Sequence, residues 1–236
     1  MFVIEIAKLK IQIINKYSYL NKLCEDYMIN SDVYDFSVSA TDDEIKKIKD
    51  ASTINHSIGY LESICIYQKI CMEILKYDCI FIHACSVKIN DYAHLFLAKS
   101  GTGKTTHCKL LKEYLGDKLS FINGDKPIIR KIDDSFYAFG TPWNGKERYG
   151  ENSFAEIKSL VFIERDTTNS ITRLDSKSIL PKILNQIILP TDLDYVNKTF
   201  DLLNDLLLKA NIYLLKCNTD ITAAKCSYDA IIQSDS

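Results

Sequence analysis

Residues 95–106 read Leu95-Phe96-Leu97-Ala98-Lys99-Ser100-Gly101-Thr102-Gly103-Lys104-Thr105-Thr106. The apolar run at 95–98 predicts a buried strand, and the two glycines after it predict a tight turn. A helical pattern then begins, with leucines at 110, 111 and 115. A strand, a glycine turn and a helix N-terminus form a phosphate-binding P-loop, because backbone N–H groups curl around an oxyanion at the positive end of the helix dipole.

The P-loop motif assigns roles to individual residues. The predicted nucleotide-binding residues are Ser100, Gly101, Thr102, Gly103, Lys104, Thr105 and Thr106. Lys104 is placed to contact the β- and γ-phosphates, and the Thr105 hydroxyl to ligate Mg²⁺. Ala98 replaces the glycine that usually opens the motif. The alternative is a chance glycine-rich turn, but strand, Lys-Thr pair and helix together favour binding of ATP with Mg²⁺.

Composition excludes several other classes of protein. The net charge is −2 and no block of five basic residues occurs, which gives no support to nucleic-acid binding. No uncharged apolar run approaches the ~18 residues of a membrane span. The eight cysteines form no C-x-x-C pair, which favours reduced, buried thiols over disulfides or a zinc site. Reduced thiols indicate the cytosol, so we expect a cytoplasmic protein. The N-terminus does not resemble a signal peptide.

Asp125 is the predicted metal-binding carboxylate. It follows an apolar strand at 118–123 and lies 21 positions after Lys104. An acidic residue at the end of such a strand is where a P-loop protein places a carboxylate that organises Mg²⁺. The predicted metal ligands are therefore Thr105 and Asp125, and the alternative for Asp125 is a simple Asn-Gly-Asp turn before Pro127.

His83 is the second candidate catalytic side chain. We predict one strand from Cys79 to Ile89 and a two-residue hairpin turn at Asn90-Asp91. Paired residues then have numbers that sum to 181, which puts His83 opposite Ala98 at the mouth of the P-loop. The alternative is a buried histidine satisfied within the sheet.

The loop 140–150 is the third candidate segment. It contains Trp143, which is the only tryptophan, together with Lys146 and Arg148. Loops of this composition often carry function, so we expect these three residues to close on the phosphates or on the acceptor substrate. In the alternative interpretation the loop is a solvated turn whose tryptophan covers the core.

Periodicity and capping signals predict one α/β domain over residues 1–236. A β-containing N-terminal extension, 1–56, has strand-like alternation at 2–14 and a helix started by the Thr41-Asp-Asp-Glu44 capping box. The nucleotide-binding core, 57–236, has a long helix at 57–77 and a hairpin at 128–139. Strands follow at 160–164, 170–174 and 212–217. Ser176 is predicted to cap a helix that reaches Ile188, Asp192 to cap another, and Asp220 to open the last.

The chain resembles the HPr kinase/phosphorylase and phosphoenolpyruvate-carboxykinase-like superfamily, and within it the small stand-alone HPr-kinase-like proteins of clostridia. The matching stretches are residues 82–84, 100–107, 122–130, 140–146, 155–164 and 217–218. The resemblance implies an α/β P-loop core around a mixed sheet, with C-terminal helices, and phosphoryl transfer from a nucleotide to a hydroxyl.

The resemblance also implies roles for single residues. Residues 100–105 would bind the triphosphate, Thr105 and Asp125 would hold Mg²⁺, and His83 would assist proton transfer. The family usually has two consecutive acids after the strand, of which the first is the candidate base. Here that position is Gly124, so restoring a carboxylate there is expected to raise activity.

Three functions follow from these observations. The first is an ATP- and Mg²⁺-dependent kinase acting on a Ser or Thr hydroxyl of a small protein or precursor peptide. The second is a kinase of free serine or another metabolite, and the third is a non-catalytic nucleotide-binding module, which Gly124 supports. Related enzymes form oligomers, so a homo-oligomer is an expectation without an identified interface.

Overall fold

The computed structural model describes residues 1–233. The strands are β1 (Phe2–Ile6), β2 (Leu9–Ile14), β3 (Met28–Ile29), β4 (Phe36–Ser39), β5 (Cys79–Phe81), β6 (Cys85–Ile89), β7 (Tyr92–Leu97), β8 (Leu119–Asn123), β9 (Ile128–Ile132), β10 (Ser135–Phe139), β11 (Phe154–Arg165), β12 (Ser170–Arg173) and β13 (Asn211–Cys217). The α-helices are α1 (Tyr19–Leu23), α2 (Asp42–Ala51), α3 (Ile58–Glu73), α4 (Lys104–Leu115), α5 (Ser176–Leu184), α6 (Leu193–Lys209) and α7 (Ile221–Gln233).

The N-terminal segment forms a four-stranded sheet in the order β3-β1-β2-β4. Its apolar residues alternate along the strands, so that Ile4, Ile11 and Ile13 are fully buried. Helix α3 packs on this sheet with Ile66 and Ile70. The strands expected at 2–14 and the capping box at the start of α2 are both confirmed.

The larger sheet has nine strands, ordered β5-β9-β10-β11-β7-β6-β8, with β13 beside β11 and β12 at its edge. Strands β7, β11 and β13 run parallel to one another, and the other pairs are antiparallel. Helices α5 and α6 cover one face and α4 and α7 the other. The predicted α/β class, with a mixed sheet, an N-terminal β layer and C-terminal helices, is confirmed.

Strand direction brings the candidate residues together. Strand β6 lies between β7 and β8 and is antiparallel to both, so β7 and β8 end at the edge of the sheet where β6 begins. The P-loop follows β7, Asp125 follows β8, and His83 precedes β6. Three segments that are distant in sequence therefore meet at one edge.

Two sequence expectations are corrected by the boundaries of the strands and helices. The β6–β7 register is as predicted, since Cys85 pairs with Phe96 and Ile89 with Tyr92. The single strand expected at 79–89 is instead two strands, because β5 pairs with β9 and the chain leaves the ladder at 82–84. Helix α5 is capped by Asp175, not Ser176, and ends at Leu184 instead of Ile188.

Candidate active site

The P-loop presents unpaired backbone donors. Gly101 and Gly103 have φ values of 78° and 120°, which other residues rarely adopt. The turn between them is closed by the Thr102 N–H, which donates to the Lys99 carbonyl at 3.0 Å. No side chain caps the first turn of α4 after Gly103. The first N–H groups of this helix are therefore available to an anion.

Lys104 is a buried cation without a hydrogen-bond partner among the described residues. Its side chain is 9% exposed, and its Nζ lies 3.7 Å from Asp125 Oδ1, too far for a hydrogen bond. Burial lowers the pKa of this ammonium, and the Asp125 carboxylate works in the opposite direction. A buried, incompletely paired ammonium beside free N–H groups fits a phosphate group well.

Asp125 is surrounded by positive or donor groups. Its Oδ1 lies 2.9 Å from His83 Nε2, and its Oδ2 accepts from Lys126 Nζ at 2.6 Å. Burial raises the pKa of this carboxyl, but the His83 hydrogen bond and the Lys126 ammonium outweigh it and hold the pKa well below its usual range. Asp125 is therefore an ionised carboxylate, suited to a metal ion or to orienting a hydroxyl, and a weak proton acceptor.

Both ring nitrogens of His83 have protein partners. Nε2 faces Asp125, and Nδ1 lies 3.2 Å from the side-chain amide of Gln186. When the amide nitrogen of Gln186 faces the ring, it also donates to the Ala98 carbonyl at 3.2 Å. The backbone N–H of His83 donates to the Gln186 carbonyl at 2.6 Å. His83 thus lies near Ala98, as expected. The two residues are linked by the Gln186 side chain and are not paired within a β-ladder.

The candidate metal ligands do not form a preorganised cage. Among residues 1–233 no group of three or more His, Cys, Asp or Glu side chains converges in the manner of a metal site. A magnesium ion bound through Thr105 and Asp125 would take its other ligands from phosphate oxygens and water, as Mg²⁺ commonly does with nucleotides.

The loop 140–150 lies directly over Asp125 and Gly124. A side-chain carbon at Gly145 would be 3.0 Å from the Asp125 Cβ. One at Gly124 would lie 3.0 Å from the carbonyl oxygens of both Asn144 and Tyr149. The Gly124 N–H donates to the Tyr149 carbonyl at 2.7 Å. The residue that replaces the expected acid is therefore one that lets this loop approach closely.

The three predicted substrate residues of this loop differ in position. Trp143 is 6% exposed, and its ring lies 4.9 Å from that of Tyr67 in the N-terminal core. The Trp143 side chain therefore packs inside the protein, as in the alternative interpretation that it covers the core. Lys146 and Arg148 are exposed, and a Lys109–Glu147 ion pair of 2.9 Å ties the loop to α4.

Three further residues of the site were missed by the motifs. Lys126 pairs with Asp125, Gln186 bridges His83 and Ala98, and Arg165 at the end of β11 donates to the P-loop carbonyls of Gly101 and Thr102. Lys126 could have been suspected from its position next to Asp125. Gln186 and Arg165 carry no local signal, since only the packing of α5 and the direction of β11 bring them here.

No helix in the described part of the chain combines the length and the apolar character needed to cross a bilayer.

Comparison with known proteins gives distant likenesses. No protein-family model matches the chain. Replication-associated recombination protein A of Haemophilus influenzae is 24% identical over 128 residues, which are 54% of this chain and 26% of that protein. The chain thus matches only about a quarter of that relative's length. The structure of the HPr(Ser) kinase/phosphatase from Coxiella burnetii aligns with a TM-score of 0.40 at 8% identity, covering 66% of this chain and 92% of that one.

Proposed function

We propose that this chain is an ATP- and Mg²⁺-dependent kinase that phosphorylates a Ser or Thr hydroxyl of a small protein or precursor peptide. The observation that carries the proposal is Lys104, a buried ammonium without a hydrogen-bond partner among the described residues, at the start of a helix that no side chain caps. The ionised Asp125 lies beside it. This arrangement supplies a phosphate cradle and a carboxylate at one edge of the sheet.

The residues act mainly by position and charge. Lys104 and the N–H groups after Gly103 would hold the phosphates, and Thr105 and Asp125 would hold Mg²⁺, which neutralises negative charge during transfer. Asp125 keeps its charge because His83 and Lys126 stabilise the carboxylate. Phosphoryl transfer requires little covalent participation by the protein, so this positioning accounts for much of the expected acceleration.

His83 supports Asp125 in this proposal instead of acting as a free base. With Nε2 on the carboxylate and Nδ1 on Gln186, neither nitrogen is available to the acceptor hydroxyl without a change of partner. His83 therefore fixes the orientation of Asp125. This modifies the role expected from sequence, where His83 accepts the hydroxyl proton.

The acceptor is proposed to be a peptide or small protein in preference to a metabolite. Two cavities, of about 590 and 230 Å³, lie away from the P-loop, the larger between β4, α2 and α3 and the smaller between β10, β11 and α6. Lys146 and Arg148, which follow Gly145 in the loop, are exposed. An open surface with exposed cations beside the site suits a peptide substrate, whereas a kinase of free serine would be expected to have a closed pocket.

A non-catalytic nucleotide-binding module is the second candidate. Gly124 favours it, because loop 140–150 covers the place where the family's candidate base would stand. The two candidates share the P-loop and differ in phosphate transfer. The test is phosphate transfer from labelled ATP to candidate peptides, measured for the wild type and for Asp125→Asn. A kinase transfers phosphate in the wild type and loses that transfer in the variant. A non-catalytic module transfers none in either protein.

The nucleotide site is tested by Lys104→Met, with Lys99→Met as the matched control. Lys99 lies in the same turn but is exposed. We expect Lys104→Met to weaken ATP-Mg²⁺ binding by about 1.5–3 kcal/mol, the value of a charge-assisted contact. Lys99→Met should bind nearly as the wild type does. Equal affinities of wild type and Lys104→Met in titration calorimetry would contradict the proposal.

A further inference from the structure

Arg165 is a cation at the P-loop that the sequence motif does not include. It is the last residue of β11, which runs parallel to β7 with Phe162 opposite Leu97. The side chain therefore emerges at the edge of the sheet where the P-loop begins. Its Nε donates to the Thr102 carbonyl at 2.8 Å, and its Nη2 donates to the Gly101 carbonyl. One guanidinium holds two consecutive carbonyl groups of the turn.

These two bonds set the direction of the peptide groups. In a trans peptide the carbonyl and the following N–H point to opposite sides, and the described chain has no cis peptide bond. With the Thr102 carbonyl on Arg165, the N–H of Gly103 faces away from the guanidinium. The Thr102 N–H likewise faces away, toward the Lys99 carbonyl. The guanidinium thus fixes the side of the turn on which N–H groups are presented.

We propose that Arg165 is a positioning residue of the P-loop. It holds the glycine turn in its phosphate-binding conformation before nucleotide arrives. Gly101 and Gly103 give the turn freedom to adopt other conformations, and a loop that is already ordered loses less conformational freedom on binding. This inference rests on the proposed function, because it presupposes that the P-loop binds phosphate.

The two bonds require an arginine. A guanidinium is a planar fork that donates to two acceptors at once, whereas a lysine ammonium on a flexible stem behaves as a point charge. Lysine at this position keeps the positive charge but not the two-carbonyl geometry. Arg165→Lys therefore separates positioning of the loop from direct attraction of phosphate.

The experiment compares four full-length proteins: wild type, Arg165→Gln, Arg165→Lys and Arg173→Gln. Arg173 is the matched control, an exposed strand arginine that donates to Asn211 at 2.7 Å, away from the P-loop. Affinities for ATP-Mg²⁺ and ADP-Mg²⁺ are measured by calorimetry. Amide hydrogen exchange of residues 101–104 is measured without ligand, as a readout independent of binding.

We expect both Arg165 variants to bind ATP and ADP about tenfold more weakly, since charge-assisted bonds to the loop are lost. Exchange at 101–104 should be faster in both, and Arg173→Gln should match the wild type. The inference would be overturned if Arg165→Lys bound nucleotide with wild-type affinity, or if the Arg165 variants lost affinity for ATP but not for ADP. Unchanged amide exchange at residues 101–104 would overturn it as well. A wild type that binds neither nucleotide would instead refute the proposed function, while the exchange measurement still tests Arg165. If Arg165→Gln does not fold, Arg165→Lys decides alone.

Discussion

Three side chains converge on the Asp125 carboxylate, and they make its charge a source of stability. His83, Lys126 and Lys104 lie 2.9, 2.6 and 3.7 Å from its oxygens. Its pKa in the folded protein is lower than the value of about 3.9 expected in the unfolded chain. The stabilisation is therefore complete at neutral pH and is lost as the pH falls below about 4 through the folded pKa.

Asp125→Asn should remove this pH dependence. We expect the variant to be less stable than the wild type at neutral pH, by about 1–3 kcal/mol, because Lys104 and Lys126 lose their counter-charge. It should lose less unfolding free energy than the wild type between about pH 5 and pH 2. Urea unfolding at several pH values measures both effects, with Asp50→Asn, an exposed carboxylate of α2, as the control. If the unfolding free energy of wild type and of Asp125→Asn fell in parallel as the pH is lowered, the ion pairs of Asp125 would not contribute to stability.

Gly124 is expected to tolerate no larger side chain. An added Cβ would lie 3.0 Å from the Asn144 and Tyr149 carbonyl oxygens, so Gly124→Ala should lower the free energy of unfolding by about 1–3 kcal/mol through overpacking. Gly124→Asp should cost at least as much, because its carboxylate adds repulsion from two carbonyls. Urea unfolding checks this, with Ser120→Ala on the preceding strand β8 as the control.

This reverses the sequence-based expectation for Gly124→Asp. That expectation treated Gly124 as a lost base, whereas the structure gives the glycine a packing role under loop 140–150. We therefore expect Gly124→Asp to transfer phosphate no faster than the wild type. A Gly124→Asp protein that is as stable as the wild type and more active would restore the original interpretation.

At the scale of elements, the loop 140–150 connects the candidate site to the N-terminal core. Trp143 packs on Tyr67 of α3, while Gly145 lies against Asp125. Trp143→Ala should lower the free energy of unfolding by about 3–5 kcal/mol, because it leaves a large cavity in the core. Trp143→Phe retains much of the contact and serves as the conservative control. Chemical denaturation measures both, and a Trp143→Ala protein as stable as the wild type would place the ring outside the core.

Elements with strong local signals were predictable from sequence. The Asn90-Asp91 turn fixed the β6–β7 register, and Thr41 with Glu44 fixed the start of α2. The glycines and Lys104 located the P-loop and the first residue of α4. In each case the determinant is a turn, a cap or a periodicity within a few residues, which a single sequence displays directly.

Contacts between distant segments were not predictable. The break at 82–84 exists because β5 pairs with β9, and no residue near His83 encodes that partner. Gln186 and Arg165 reach the site only after α5 packs on the sheet and β11 runs beside β7. The cationic surroundings of Asp125 were foreseen only in part, since a sequence does not show which charges meet in space.

For the molecule as a whole, the N-terminal layer and the rest of the chain share one apolar cluster. Ile4, Ile11 and Ile13 of the N-terminal sheet belong to the same cluster as Tyr67 and Trp143. Polar contacts add to it, since Tyr27 donates to the Glu151 carbonyl at 3.1 Å and Asn152 to the Asp26 carbonyl at 3.0 Å. Residues 1–56 therefore complete the surroundings of loop 140–150.

Removal of residues 1–56 should consequently unfold the remainder instead of releasing an active core. The fragment 57–236 would expose the buried faces of α3 and Trp143, an apolar surface that favours aggregation or a loosely packed state. We expect it to bind a hydrophobic dye and to lack a cooperative thermal transition, while the full chain shows one. Adding a 1–56 peptide to the fragment tests whether the shared cluster re-forms. A fragment that melts cooperatively and binds ATP-Mg²⁺ as tightly as the full chain would make residue 56 a true domain boundary and the N-terminal layer dispensable for the site.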